Sequence, residues 1–499
     1  MLTKIIIILF AIYSSVFAQR RETILTYDKY MERIESLIPE MKLTASTESN
    51  AYNDLIRAKS SGDVKFDLQA GAIGTQNYFE QYNVEQYIFL PQSAFRYNGF
   101  RIGAGFSGLI PYSGTRWAVK IQHDGYFGDF DSGNISFPFT PMPGITWRFP
   151  SLRTNNFKYY SPSIKIEITQ PILRDFFGKL DRYPIKDAEY QLTIAKLKRM
   201  IDDNSVLNSY RKLYYQWVMA RKLVSFYNDM IKGAKDFENR AKRGYTNGVI
   251  DNDSYQNAIR QTLKYIEARD EAEIVLKKVL RNIRFFIPET NTIPSERDWN
   301  NTLKNSMNAK IETVPFLESI QGQMAHQLKL RAEYGMTIIK NNSMPDLSIV
   351  GNLSLSALDD NGFFNSFASM TNLNYFVGLM FSYPIGGRDA KAKMMDAYAS
   401  LNAVSADYER VNRDYEIQIG IYYDEFQSYK KMLEIKKREI NAIASKINTQ
   451  NEKFKQGRIP IDEIINSKLE LAKARAETLN LEYSIIRTVM DYNSLVMME

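Results

Sequence analysis

The sequence predicts a mainly α-helical protein with transmembrane β-barrel strands, made by duplicating one unit: a strand pair that feeds a long helical hairpin. Three observations predict it. An alternating strand ends in a Pro-Ile step twice, at Thr169-Gln170-Pro171-Ile172 and at Ser382-Tyr383-Pro384-Ile385, with Gly178 after the first and Gly386-Gly387 after the second. A long proline-free helical stretch follows each, and each breaks late at a glycine-centred turn, Gly244 to Gly248 in one copy and Gly457 to Pro460 in the other. After the first few residues no segment approaches ~18 consecutive apolar residues, so a chain that crosses a membrane must do so as a closed barrel. Together these describe an α-barrel/β-barrel tube: strands through a membrane, helices through a wide aqueous space.

Residues 1–18 read as a secretory signal peptide: Lys4, a short apolar run from Ile5 to Ile12, and Val16-Phe17-Ala18 before the expected cut. The chain has no cysteine, which excludes a disulfide framework, thiolate metal sites and a lipid-modified N-terminal Cys. The net charge of +7 comes from 64 basic and 57 acidic residues, with no basic block of the kind nucleic-acid binding needs.

The first repeat is read over 19–287. Residues 27–60 are expected as helix with a break at Pro39, followed by a period-2 strand, Phe66 to Ala72. The long stretch 77–160 is rich in Gly, Pro, Asn and aromatics and holds two more alternating runs, Phe100–Ser107 and Arg116–Gln122, joined by the turn signal Pro111-Tyr112-Ser113-Gly114. The strand Ser163–Thr169 comes next, then helices over Lys186–Lys242 and Asn252–Arg284. Residues 288–310 are read as a linker. The second repeat, 311–499, has a helix over Ile311–Lys340, strands Leu347–Leu355 and Tyr375–Phe381, and a hairpin over Arg388–Lys455 and Ile461–Val496. The first arm of that hairpin carries a seam, Leu401, Val404, Tyr408, Val411 and Tyr415, then a four-residue step to Ile419, then Tyr422, Phe426, Tyr429 and Leu433. The irregular step is a stutter in a heptad pattern. An arm of this length reaches ~100 Å.

The strands alternate apolar and polar side chains, as in Ile164, Ile166 and Ile168 against Lys165, Glu167 and Thr169. One face suits lipid and the other water, over lengths near the ~9–11 residues of a tilted transmembrane strand. No catalytic constellation is present. His123 lies in the extra hairpin and His326 in a helix, and as a pair they suggest no metal site; no phosphate loop or cofactor motif is found. The Met394-Met395 and Met497-Met498 pairs fit helix packing. The residues therefore argue for a conduit. The acidic residues of interest lie at the hairpin turns: Asp251 and Asp253 after Gly248, and Asp462 and Glu463 after Gly457 and Pro460, where a helix N-terminus favours negative charge.

These motifs resemble the TolC-like outer-membrane efflux and secretion channels, over nearly all of the mature sequence. Gln170-Pro171-Ile172-Leu173-Arg174 with Gly178 is similar to that family's strand exit, and Tyr383-Pro384-Ile385-Gly386-Gly387-Arg388 to its second-repeat version. Phe454, Gly457, Glu463-Ile464-Ile465 and Asn466-Ser467, followed by Leu471, Ala472, Ala474 and Arg475, are similar to its inner-hairpin turn. The resemblance implies an outer-membrane exit duct of a tripartite efflux or type I secretion system, extending into the periplasm. It implies a homotrimer in outer-membrane lipid, four strands per chain in a shared twelve-stranded barrel, a periplasmic adaptor protein and an inner-membrane pump. Glu463 and Asn466 fall at its pore constriction; Asn466 departs from the acidic pattern, and Asp462 supplies a neighbouring charge. A periplasmic coiled-coil adaptor and a surface adhesin are the competing readings. Because the resemblance sets four strands per chain, the hairpin from Phe100 to Gln122 is expected as a lid over the barrel mouth or packed outside the membrane. A six-strand version, with Tyr112-Ser113-Gly114 as a periplasmic turn, is the alternative.

Overall fold

The computed structural model describes residues 23–79, 83–84, 88–89, 93–131, 135–138, 146–149, 153–289 and 291–497. The signal-peptide assignment, Met498 and parts of the 77–160 stretch lie outside the described residues. The strands are β1 (Thr23–Leu25), β2 (Lys65–Phe79), β3 (Asn83–Val84), β4 (Ile88–Phe89), β5 (Ser93–Ile110), β6 (Thr115–Asp131), β7 (Ile135–Pro138), β8 (Thr146–Phe149), β9 (Arg153–Pro171), β10 (Thr292–Pro294), β11 (Asp346–Ser356) and β12 (Asn372–Ser382). The helices are α1 (Tyr27–Leu37), α2 (Pro39–Lys59), α3 (Tyr183–Thr246), α4 (Asn252–Ile283), α5 (Glu296–Asn308), α6 (Ile320–Asn342), α7 (Asn365–Ala368), α8 (Arg388–Lys455) and α9 (Ile461–Leu495). The chain divides into two compact units, residues 51–192 with 328–405, and residues 1–50 with 193–327 and 406–499.

The first unit is built on a six-stranded sheet in the order β12-β11-β9-β6-β5-β2. Every neighbouring pair is antiparallel, so the sheet is a meander that follows the chain. The hairpin expected as a lid is instead β5 and β6, inserted between β2 and β9, and each chain supplies six strands where four were expected. The physical reason lies in the register. Ile102, Ala104 and Phe106 on β5 pair with His123, Ile121 and Val119 on β6, and Ile121, Val119 and Trp117 pair with Ile164, Ile166 and Ile168 on β9. The inserted strands thus continue the apolar face of their neighbours instead of needing a different partner.

That face runs across the whole sheet. Side chains directly opposite each other in a ladder share a face. Phe66 and Leu68 join Phe106 and Ala104 on one side, and Leu353 and Leu355 join Tyr375 and Leu373 on the same side. The opposite side carries Lys65, Asp67, Arg101, Lys120, Asp124, Lys165, Glu167, Asn352 and Ser354. The apolar face is largely uncovered within the chain: Leu68 is 72% exposed, Val377 75% and Leu379 70%. Toward the far end of the sheet α7 and its flanking loop cover part of it. His123, on the apolar side, is buried there, with Nε2 3.1 Å from the Phe363 carbonyl and 3.0 Å from Ser366 Oγ, and its ring packs on Phe363 and Phe367. It is held there by neighbours on α7 and its flanking loop. A second small sheet, β3-β4-β7-β8, belongs to residues 83–149.

The second unit is helical. One core gathers Tyr30, Ile34, Tyr214, Trp217, Val218, Ile283, Trp299 and Ile486. Trp299 comes from the segment read as a linker, which folds as β10, paired in parallel with β1, and α5. Ser295 caps α5 by accepting from the Asp298 N–H, and Trp299 Nε1 donates to Glu482. The helix expected from Ile311 starts later, at Ile320, because Pro315 and a single 3₁₀ turn precede it. A second core follows the seam of α8, with Tyr415, Ile419, Phe426 and Leu433 buried and Tyr408, Val411, Tyr422 and Tyr429 packed beside them. The stutter is therefore accommodated without losing the seam.

Candidate functional site: a two-faced sheet, its exits and the hairpin tips

At the hairpin tips the duplication repeats in its hydrogen bonds. In the first hairpin the Gly248 N–H donates to the Tyr245 carbonyl and the Val249 N–H to the Gly244 carbonyl. In the second the Gly457 N–H donates to Phe454 and the Arg458 N–H to Lys453. Both are Schellman ends, and both place a glycine in the left-handed region, at φ +70° and +69°. Asp251 caps α4, accepting from the Ser254 N–H at 2.8 Å, and that bond holds its carboxyl below the usual range. Pro460 stands one residue before α9, at its cap.

Past that cap the side chains separate into two faces. Ile461 and Ile465 are buried against Phe237, Ala241 and Ala258 of the first hairpin, and Gln261 Nε2 donates across to the Ile465 carbonyl. Glu463 and Asn466 are exposed on the other face, in line with Glu470 three to four residues further along. Asp462 lies in the same first turn. Two of the three sequence-selected residues thus share a face pointing away from the packed tip.

The strand exits are joined to the inserted hairpin, which the sequence had not linked to them. Gln170 donates to the Ser113 carbonyl at 2.9 Å and accepts from Thr115 Oγ1. Pro171 ends β9, and the chain then makes a tight knot in which Asp175 and Phe177 both take positive φ, at 65° and 54°. Gly178, at φ +62°, packs so closely on the turn that an added Cβ would lie 1.9 Å from the Pro111 carbonyl oxygen. Arg116, at the start of β6, binds Asp181 at 2.9 and 3.1 Å, and Asp175 accepts from the Leu180 N–H. Burial, and the neighbouring Asp175 carboxyl, push the Asp181 carboxyl up to about 6. In the second exit Pro384 precedes Gly386 and Gly387, at φ 98° and 53°, and the Gly387 carbonyl accepts the first bond of α8 from Lys391. The Arg116, Asp175 and Asp181 cluster left no sequence signal, since its members are joined only through the sheet register.

Among the described residues no group of three or more His, Asp or Glu side chains could hold a metal ion, and no helix is long and apolar enough to cross a membrane. A two-faced antiparallel sheet with paired long helical hairpins is also the fold of solved outer-membrane channels. The chain is similar to CusC (TM-score 0.64, 10% identity, covering 94% of this chain and 91% of CusC). It is similar to VceC, an outer-membrane protein of Vibrio cholerae (TM-score 0.62, 11% identity, 94% and 95% covered). It is also similar to the MtrE outer-membrane channel of Neisseria gonorrhoeae in its open state (TM-score 0.62, 10% identity, 94% and 88% covered). No protein-family model and no curated protein matches the sequence. The fold is that implied by the TolC-like resemblance.

Two outcomes follow from the geometry. Gly178→Ala should lower the thermal stability of the assembled protein far more than Gly248→Ala. Both carry the left-handed penalty of about 1–2 kcal/mol, but only Gly178 meets backbone, whereas nothing lies within 4 Å of a Cβ at Gly248. Equal losses would show that the knot yields. For Asp181, the native carboxyl holds its proton to about 6 while an unfolded one releases it near 4, so the native state binds more protons in between. Stability should fall, by on the order of 1–2 kcal/mol, as pH rises from about 4 to about 6. Asp181→Asn should flatten that slope in melting curves taken at pH 4.5 and 7.5; an unchanged slope would remove Asp181 as its source.

Proposed function

We propose that the chain is the outer-membrane exit duct of an export system, assembled from three copies, with its helical hairpins in the periplasm. The observation that carries this reading is the six-stranded sheet, apolar on one side, polar on the other, and, among the described residues, unpaired along both outer edges, β2 and β12. An uncovered apolar face of this extent is stable against lipid and not against water. Within lipid, unpaired strand edges are too costly to persist, and only closure into a barrel satisfies them. β2 and β12 run in opposite directions, so β12 of one copy can continue the antiparallel pattern into β2 of the next. Three copies close a barrel of eighteen strands. At a spacing of ~4.8 Å and a tilt of ~40°, its backbone cylinder is roughly 35 Å across, against roughly 24 Å for twelve strands. The polar face, with Lys65, Asp67, Lys120 and Glu167, would line an aqueous lumen.

The similarity to the MtrE and VceC folds supports this reading, and an adaptor protein and an inner-membrane pump are its expected partners. A periplasmic adaptor would have no use for the apolar face. Residues 19–287 and 311–499 act as the two repeats, the second supplying the inner hairpin. Glu463, with Asp462, would form a ring of like charge where the copies converge, and Asn466 would line it one turn further in. Such a ring favours cations in the pore.

The turn at Ser113 sits at the end of the sheet where α2 enters and α3 leaves, which this reading places in the periplasm. A Cys introduced at Ser113 should resist an impermeant thiol reagent in intact cells and react once the outer membrane is permeabilised. Reaction in intact cells would place the turn outside and reject the orientation. In planar bilayers the double variant Asp462→Ala/Glu463→Ala should lose cation preference and block by multivalent cations. Retained selectivity and block would take these residues out of the aperture.

A further inference from the structure

Six strands reach the periplasmic end of the sheet, but four helices meet them there: α2 leads into β2, α3 leaves β9, α6 leads into β11 and α8 leaves β12. No helix continues β5 or β6. Their turn and the neighbouring helix ends instead line a cavity of about 790 Å³. Its wall carries four cationic side chains, Lys59, Lys179, Arg182 and Lys186, and a single carboxylate, Glu189. Lys186 pairs with Glu189 at 2.9 Å, and the Arg182 guanidinium donates to the Gly178 and Phe177 carbonyls. Lys59 and Lys179 are exposed and make no ion pair among the described residues. The first turn of α3 beside them carries no acidic residue, and the N–H groups of Leu180 and Asp181 just before it are taken by the Asp175 carboxylate.

The depth of this cavity is set by its neighbours. The apolar face of the sheet ends nearby in Phe66 and Phe106, whose rings lie 5.1 Å apart, and in Trp117. Aromatic residues of this kind mark a membrane interface. Tyr112, on the cavity wall, is 78% exposed. An excess of cationic groups just past such a belt lies at the depth of lipid headgroups.

We propose that this cavity binds the phosphate of an anionic glycerophospholipid in the inner, periplasm-facing leaflet, filling the gap that the inserted hairpin leaves between helices. Lys59 and Lys179 meet the phosphate charge, and Tyr112 lies along the glycerol and upper acyl chain. The proposal rests on the membrane reading above, and the two are tested separately. Insertion and heat-resistant assembly report on the duct, and lipid selectivity reports on the cavity.

The test is native mass spectrometry of the full assembly extracted from vesicles of mixed phosphatidylglycerol and phosphatidylethanolamine. The parent protein should retain phosphatidylglycerol in preference. The variant Lys59→Gln/Lys179→Gln should retain it about fivefold less per lysine removed, while still inserting and assembling. Lys235→Gln/Lys242→Gln, on the first hairpin, should retain it as the parent does. Equal retention by the Lys59/Lys179 variant would overturn the proposal. So would displacement of the bound lipid by millimolar inorganic phosphate, which would show a site for free phosphate instead.

Discussion

Everything in this chain depends on one constraint: backbone N–H and C=O groups in hydrocarbon must be paired, and water is not there to help. The sheet meets it internally across five antiparallel ladders and leaves it unmet at two edges. In the proposed duct, the long edges of β2 and β12 would make a lone copy in lipid unstable, so the oligomer would be a requirement of the fold and not an addition to it. An even number of strands per chain is what lets identical copies close antiparallel. The inserted hairpin adds two strands, so that parity is kept, whereas a single added strand would have reversed the direction of everything after it.

The helical part answers a different problem. Helices of 64 and 68 residues satisfy their own backbone groups and need only a packed stripe to hold them, which Tyr214, Trp217 and Val218 provide on α3 and Tyr415, Ile419, Phe426 and Leu433 on α8. Their ends are fixed by matching glycine-centred turns, and the tip is locked where Ile461 and Ile465 pack on Phe237 and Ala258. That packing decides which face of α9 remains free, and hence that Glu463 and Asn466 point away from the tip core.

Periodicity made most of this legible. The arms of the second hairpin, read from a proline-free run and a Gly turn, match α8 in both bounds and α9 in its first, with the helix ending at Leu495, one residue before the expected Val496. The strands were found, but shorter than they are: Phe66 to Ala72 lies in the first half of β2, which continues to Phe79 because β5 pairs with it throughout. What stayed hidden depends on contacts distant in sequence. Arg116 and Asp181 meet only because β6 lies beside β9, and Trp299 is buried by partners on α3 and β10's neighbours that no local pattern names. The family resemblance set four strands per chain, and that prior outweighed an alternation in Phe100–Gln122 which, taken alone, already matched Ile164–Ile168. The constriction residues were chosen by resemblance; the fold supplies their exposure and shared face.

The central claim is that the free edges of β2 and β12 pair between copies. Cysteines placed at Val377 and, in turn, at Leu68, Ala70 or Ala72 sit on the apolar side of the two edge strands, the three β2 positions stepping along the register that a tilted barrel would bring to Val377. Oxidation in isolated outer membranes should give, for one of the three pairings, a ladder of covalent species that ends at three copies. If none of the pairings links separate chains, or if the ladder ends at two or runs beyond three, the shared eighteen-stranded barrel is contradicted.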